Sequence, residues 1–186
     1  MNRLVRLAGW GSVGILDVTW TVAEGRRGRR WREVVSRDGA IIRSLLLETD
    51  VDRRFSHLEL SVAGVLLTLH PESDGSLHGN RVADDGSAIS HVAGLAFGSG
   101  SLLRVEGSLI ADVAIAWALV DVVRPGDGET VQAVAIDRRG QVAPRAPLGI
   151  QRIDDRTWQI GGGDPFEMDP RGVPSFGDGR IEALEG

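Results

Sequence analysis

Between residues 55 and 95 the chain changes polarity at almost every second position. Leu58, Leu60 and Val62 alternate with His57, Glu59 and Ser61, and Val65-Leu-Leu-Thr-Leu-His70 follows after Ala63-Gly64. Successive side chains of extended backbone point to opposite sides, so this period marks strands with one covered face. Two more strands are expected at residues 76–82 and 87–95, after Pro71-Glu-Ser-Asp-Gly75 and Asp84-Asp-Gly86. Turn residues at that spacing join antiparallel neighbours. A meander of this kind commits the chain to an antiparallel sheet with a dry side and a wet side.

All four histidines lie in the meander. A two-residue turn at Ala63-Gly64 sets His57 opposite His70. Pairing 70 with 76 across the next loop puts His78 beside Thr68 on the same side. His91 joins them if Asp84-Asp85 makes a plain two-residue turn, and flips away if Gly86 forms a bulge. Zinc needs its ligands to converge within about 2 Å of one point. Here the histidines share their face with Glu59, Ser61, Thr68, Ser76 and Asn80, which reads as the solvated side of the sheet, and no metal is expected. A hydrolase using His70 or His78 with Glu59 is a rival reading.

Upstream, Val18, Trp20 and Val22 alternate with Asp17, Thr19 and Thr21, predicting a strand over 15–23; residues 31–36 and 40–48 read the same way. Gly9-Trp-Gly-Ser-Val-Gly14 spells the dinucleotide-binding pattern, with Glu33 near the ribose-binding spacing. That motif must open a helix whose N-terminus holds the pyrophosphate. The stretch after Gly14 is instead rich in Ile, Val, Thr and Trp, so a glycine-rich turn between strands is expected and no cofactor. Residues 26–32 then hold five arginines in seven positions. Guanidinium forks suit phosphate, but the cluster is expected to be a solvated hairpin tip.

Composition removes several function classes. With 186 residues the chain is expected to be one domain, 1–186, long enough to bury a core. A net charge of −5 gives no reason to expect nucleic acid as a partner. There is no Cys, hence no disulfide or thiol chemistry, and no Lys, hence no Walker phosphate loop or Schiff base. No apolar run approaches the roughly 18 residues of a membrane span, so stable membrane insertion is not expected. Glycines break the weakly apolar N-terminus, which is a poor signal peptide, and a cytoplasmic location is expected. No G-x-S-x-G elbow is present, and an enzyme is not expected.

After residue 93 the alternation lapses. Leu102, Leu103 and Glu106 fall at helical spacing behind serines, predicting the chain's one helix before Gly107. Residues 113–123 set Val113, Ile115, Trp117 and Leu119 against Ala114, Ala116, Ala118 and Val120. Apolar on both faces, this stretch is predicted to be a central strand, or one that meets a partner subunit. A stripe through Leu102, Leu109, Val113 and Val120 would suit a longer helix, but Gly107 and the β-branched residues argue against it. Six of the seven prolines lie at Pro125 or later. Short strands are expected there at 130–136, 148–153, 157–160, 165–168 and 180–184. Asp164, Glu167 and Asp169, between two prolines, read as a rigid turn rather than an acid pair or calcium loop.

In the order of these features the chain resembles the glycolipid-binding family. Its members form a spiral β-roll, a long antiparallel sheet around one helix, similar to the lipoprotein carriers of the bacterial periplasm. Four stretches carry the likeness. Leu67-Thr-Leu-His-Pro-Glu-Ser-Asp-Gly-Ser-Leu77 resembles a strand, Asp-Gly turn and strand. Val92-Ala-Gly-Leu-Ala-Phe-Gly-Ser-Gly-Ser-Leu-Leu-Arg104 stands where an apolar strand enters the helix. Val113-Ala-Ile-Ala-Trp117 resembles the next strand, and Asp164-Pro-Phe-Glu-Met-Asp-Pro-Arg-Gly-Val-Pro174 the closing turn. The sequence departs from the family at Ser90-His-Val-Ala93, at Gly98-Ser-Gly-Ser-Leu102 and at Leu77.

The resemblance implies a mainly β fold, a long antiparallel sheet curled into a roll around a single short helix. It implies a bacterial, non-enzymatic protein that binds a glycolipid or other acyl-chain ligand inside a soluble roll. Trp20, Phe97, Trp117 and Trp158 are then the candidates to line the interior, by burial of apolar area. Arg26, Arg27, Arg29 and Arg30 are the candidates to meet an anionic headgroup at its mouth. The rival is an interaction protein with a filled core, a homodimer paired through residues 113–123.

Overall fold

The computed structural model describes residues 5–83, 85–98, 100–175 and 182–183. Eight strands come first, each antiparallel to the one before: β1 (Val5–Val13), β2 (Leu16–Gly25), β3 (Gly28–Arg37), β4 (Ala40–Thr49), β5 (Phe55–Val62), β6 (Val65–Pro71), β7 (Ser76–Ala83) and β8 (Ile89–Ala96). After them come β9 (Leu102–Val105), helix α1 (Leu109–Leu119), β10 (Gly128–Ile136), β11 (Ala146–Arg152), β12 (Thr157–Ile160), β13 (Phe166–Met168), β14 (Pro174–Ser175) and β15 (Glu182–Ala183). β15 returns to pair with β1, making a nine-stranded sheet, and β9 to β14 form a second sheet of six. The long sheet curls around the helix and the second is a half-barrel, the mainly β roll that the sequence implies.

Register explains the curl's dry interior. Val22, Trp31, Leu47, Leu58, Leu69 and Gly79 stand side by side across six strands on the inner face, all buried. One residue along, Thr21, Arg32, Leu46, Glu59, Thr68, Asn80 and His91 form the matching row outside. A slip of one residue would exchange the two rows, so burial itself pins the pairing. All four histidines are on the outer face. His70 pairs with His78, two residues from the expected register, a shift that preserves the face. His91 stands opposite Asn80 and does join them, although β7 and β8 are not joined in the register of a two-residue turn: the pairing of Val82 with Ile89 is displaced from it by two residues, which preserves the face.

Three expectations need correction. Residues 9–14 are not a turn: Gly9 and Gly11 lie within β1, and only Gly14 turns, at φ 61°. Gly9 pairs with Trp20, whose indole occupies the space that a Cβ would need. Residues 102–105 are strand β9, not helix, with Leu103 and Val105 buried on one side. Residues 113–123, read as a strand, instead form most of α1 and the turn behind it.

The reason is burial. α1 is apolar on nearly every side, with Ile110, Ala111, Val113, Ala114, Ile115 and Ala116 all shielded. A helix enclosed by its own protein needs no polar stripe, and its alternating large and small residues imitate a strand's period. Ser108 caps it, its side chain accepting from the N–H of Ala111, after Gly107 turns at φ 73°. The sheet face expected to bind a partner subunit is therefore a buried helix. That helix also links β9 to β10 in parallel, the one crossover in an otherwise antiparallel second sheet. Residues 182–183 form β15; the rest of the strand expected at 180–184 lies outside the described residues.

Candidate functional site

The inner face of β3 carries one carboxylate among apolar neighbours. Glu33, in register with Trp20 and Leu45, is 1% exposed. One oxygen accepts from Arg43 Nη2 at 2.7 Å and the other from the N–H of Ile110 at 3.2 Å. The first-turn N–H groups of a helix lack intrahelical partners and sit at the positive end of its dipole. Glu33 answers both needs from a neighbouring sheet. Arg43 extends the chain of bonds to the carbonyl of Gly107 at 2.7 Å.

One turn into the helix, Asp112 accepts from Arg104 Nε at 3.3 Å, and Arg104 Nη2 donates to the carbonyl of Ile160 at 3.0 Å. The helix start is thus tied to the long sheet through Glu33 and Arg43, and to the second sheet through Asp112 and Arg104. Burial pushes the Asp112 carboxyl up to about 6; Arg104 opposes the shift and Glu33 adds to it. A carboxyl raised above its unfolded value favours the fold while protonated. That stabilisation is complete below the unfolded value of 3.8 and is lost as pH rises through about 6. Asp112→Asn is therefore expected to be more stable than the wild type by about 1–3 kcal/mol at pH 8 and no more stable at pH 4. Urea denaturation of both proteins at the two pH values checks this; parallel pH profiles would rule it out.

Arg104 also borders a groove of about 1020 Å³ along the second sheet. Ala133, Ala135, Ala146, Leu148 and Ile150 supply its apolar lining. Glu129, Thr130, Gln151 and Gln159 supply polar groups, and Gly149, Gly161 and Gly162 leave backbone open to it. A Cβ at Gly149 would meet nothing within 4 Å. The space beneath α1, between Leu47, Phe55, Leu103 and Ile115, is about 20 Å³, room for about one water molecule.

The aromatic candidates are distributed through the packed interior and do not line the groove. Trp20 and Trp158 are buried, and Phe97 meets Phe55 edge to face with ring centroids 5.5 Å apart. Trp117, on the helix, lies between two guanidinium groups, Arg29 at 4.1 Å and Arg53 at 4.3 Å from its ring. The four arginine candidates separate. Arg26 and Arg27 are exposed at the β2–β3 turn, and Arg30 pairs with Glu48 at 2.6 Å. Arg29 points inward, pairs with Glu24 and donates to the carbonyls of Arg171 and Gly172. Burial lowers its pKa, with Glu24 opposing. Glu59 pairs with His57 at 3.1 Å, and His70 pairs with Glu72 at 3.0 Å; the His70–Glu59 and His78–Glu59 pairs of the hydrolase reading do not form. Asp169 holds its own turn, accepting from the N–H groups of Arg171 and Val173.

Sequence reasoning passed over Arg104, Asp112 and the groove, and considered Glu33 only for its ribose-binding spacing. A signal existed for the groove: Ala133, Ala135, Ala146 and Gly149 are small where core-facing strands carry Leu or Ile. No family model and no curated protein matches the chain. Among solved structures, the crystal structure of a DUF1089 family protein from Pseudomonas aeruginosa is similar at 12% identity with a TM-score of 0.49. The alignment covers 91% of this chain and 86% of that one.

Proposed function

We propose that the protein binds an elongated amphiphile, a glycolipid or other acyl-chain ligand, without chemical turnover, in the groove of the second sheet. The observation that carries this reading is the groove itself: large, with an apolar lining interrupted by carboxylate, hydroxyl and amide groups. Such a mixture suits a ligand with a hydrocarbon part and a sugar-like part. The interior under the helix, expected from the sequence to take the ligand, has room for about one water, so the groove replaces it.

Each methylene taken from water contributes about 0.8 kcal/mol, so dodecyl glucoside is expected to bind more tightly than octyl glucoside by roughly two orders of magnitude. Ala146→Phe, at an exposed position of the groove lining that pairs with Ala133 on the same face as Arg104, is expected to weaken dodecyl glucoside at least ~10-fold with an unchanged melting temperature. Calorimetric titration below the micellar range reads both. Equal binding by wild type and variant places any ligand elsewhere, and no binding by the wild type removes the proposal.

A further inference from the structure

We infer that the groove takes its ligand with an anionic end against Arg104, an inference that rests on the groove being the binding site. A guanidinium carries five N–H donors in a planar fork. Arg104 spends its Nε–H on Asp112 and one Nη2–H on the carbonyl of Ile160. Its Nη1 has no acceptor among the described residues and lies beside Gly161, where a Cβ would overlap it. Glycine at 161 therefore leaves that space to the guanidinium. The carboxylate of Asp112 meets Arg104 from the helix and is not part of the groove lining, whereas Arg104 is. A ligand in the groove thus meets the free donors of a fixed cation with the counter-charge behind it.

The rest of the groove gives the ligand a direction. Arg104 is the register partner of Ala135 on β10. Glu129 is six residues earlier on the same side of the strand, about 20 Å away at ~3.3 Å per residue. Val131 and Ala133 fall between, with Leu148 and Ile150 opposite Val131 and Glu129 on β11. The order along this face is cation, apolar middle, then carboxylate. The complementary molecule has a phosphate or carboxylate at one end, hydrocarbon in the middle, and hydroxyl or amine donors at the other end. Arg suits both oxyanions because its fork offers two parallel donors.

The test compares dodecyl phosphate, dodecanoate and the neutral dodecyl glucoside on the full chain, by calorimetric titration at one pH and ionic strength. Wild-type protein is expected to prefer at least one of the anions to the glucoside by about tenfold or more, the worth of one charge-assisted bond. The preferred anion distinguishes a lipid phosphate from a fatty acid. Arg104→Gln should abolish the preference and still bind the glucoside. Ala135→Glu places a carboxylate on the register neighbour of Arg104 while leaving its bonds to Asp112 and Ile160 in place. It should have the same effect, and it decides alone if Arg104→Gln does not fold. Equal affinity for all three ligands, or a preference that survives Ala135→Glu, overturns the anionic end and leaves the groove standing. Failure of all three to bind the wild type removes the groove reading and this inference with it.

Discussion

Glu33→Ala is expected to destabilise the protein by ~3–5 kcal/mol, the cost of breaking a buried ion pair from one side. The substitution removes the acceptor for Arg43, whose side chain is 14% exposed, and for the N–H of Ile110 in the first turn of α1. Part of the loss is offset, since Arg43 keeps the carbonyl of Gly107. Glu33→Gln retains an acceptor for one of the two donors and should cost less than alanine. The sign at pH 7 is informative as well. Removing Glu33 withdraws a negative charge that raises the Asp112 pKa, so the Asp112 transition should move to lower pH in the variant. Urea denaturation followed by circular dichroism gives the stability, and the pH series gives the coupling. A loss below ~1 kcal/mol, of the size seen for exposed pairs, would show that Glu33 does not anchor the helix.

Trp31→Ala is expected to cost a further ~3–5 kcal/mol by itself, the range for deleting a large aromatic from a packed core. Trp31 is fully buried between Val22 and Leu47 in the inner row, with the Arg29 guanidinium 5.0 Å from its ring. Truncation loses the transfer energy of the ring and leaves a cavity that sheet backbone on either side restrains from collapsing. Trp10→Ala is the control. The same residue type on the same sheet, 60% exposed, should change stability by about 0.5 kcal/mol or less. The contrast tests the assignment of inner and outer faces directly: a larger loss at Trp10 than at Trp31 would mean the rows are exchanged.

The strands were legible because each carries its face assignment locally. Alternation over β2 and over β5 to β7 needs no knowledge of what covers the sheet, only that one side is covered. Turn residues then set the order of pairing, and their loop lengths set the register to within two residues. β9 was harder. Four residues, Leu102-Leu-Arg-Val105, are too few to separate a period of two from one of 3.6, and the parallel partner 31 residues later in register is invisible locally. The candidate site was less legible still. Arg104 and Asp112 meet across a turn and a change of secondary structure, and Ile160 joins them from a distant strand. Trp20, Trp31 and Trp158, which stand out in composition, lie where bulk is most useful, in the packed interior.

What the residues settle unaided is an antiparallel meander with a wet histidine face and an apolar face, because side-chain alternation is a property of extended backbone itself. What only the folded whole decided is which segment became the helix and where open space remained. Leu109 to Leu119 is helical because sheets surround it on nearly every side, and enclosure erases the polar stripe by which a helix announces itself. The groove exists because the half-barrel leaves its small-residue strands uncovered, and whether anything covers a surface is a relation between distant parts of the chain.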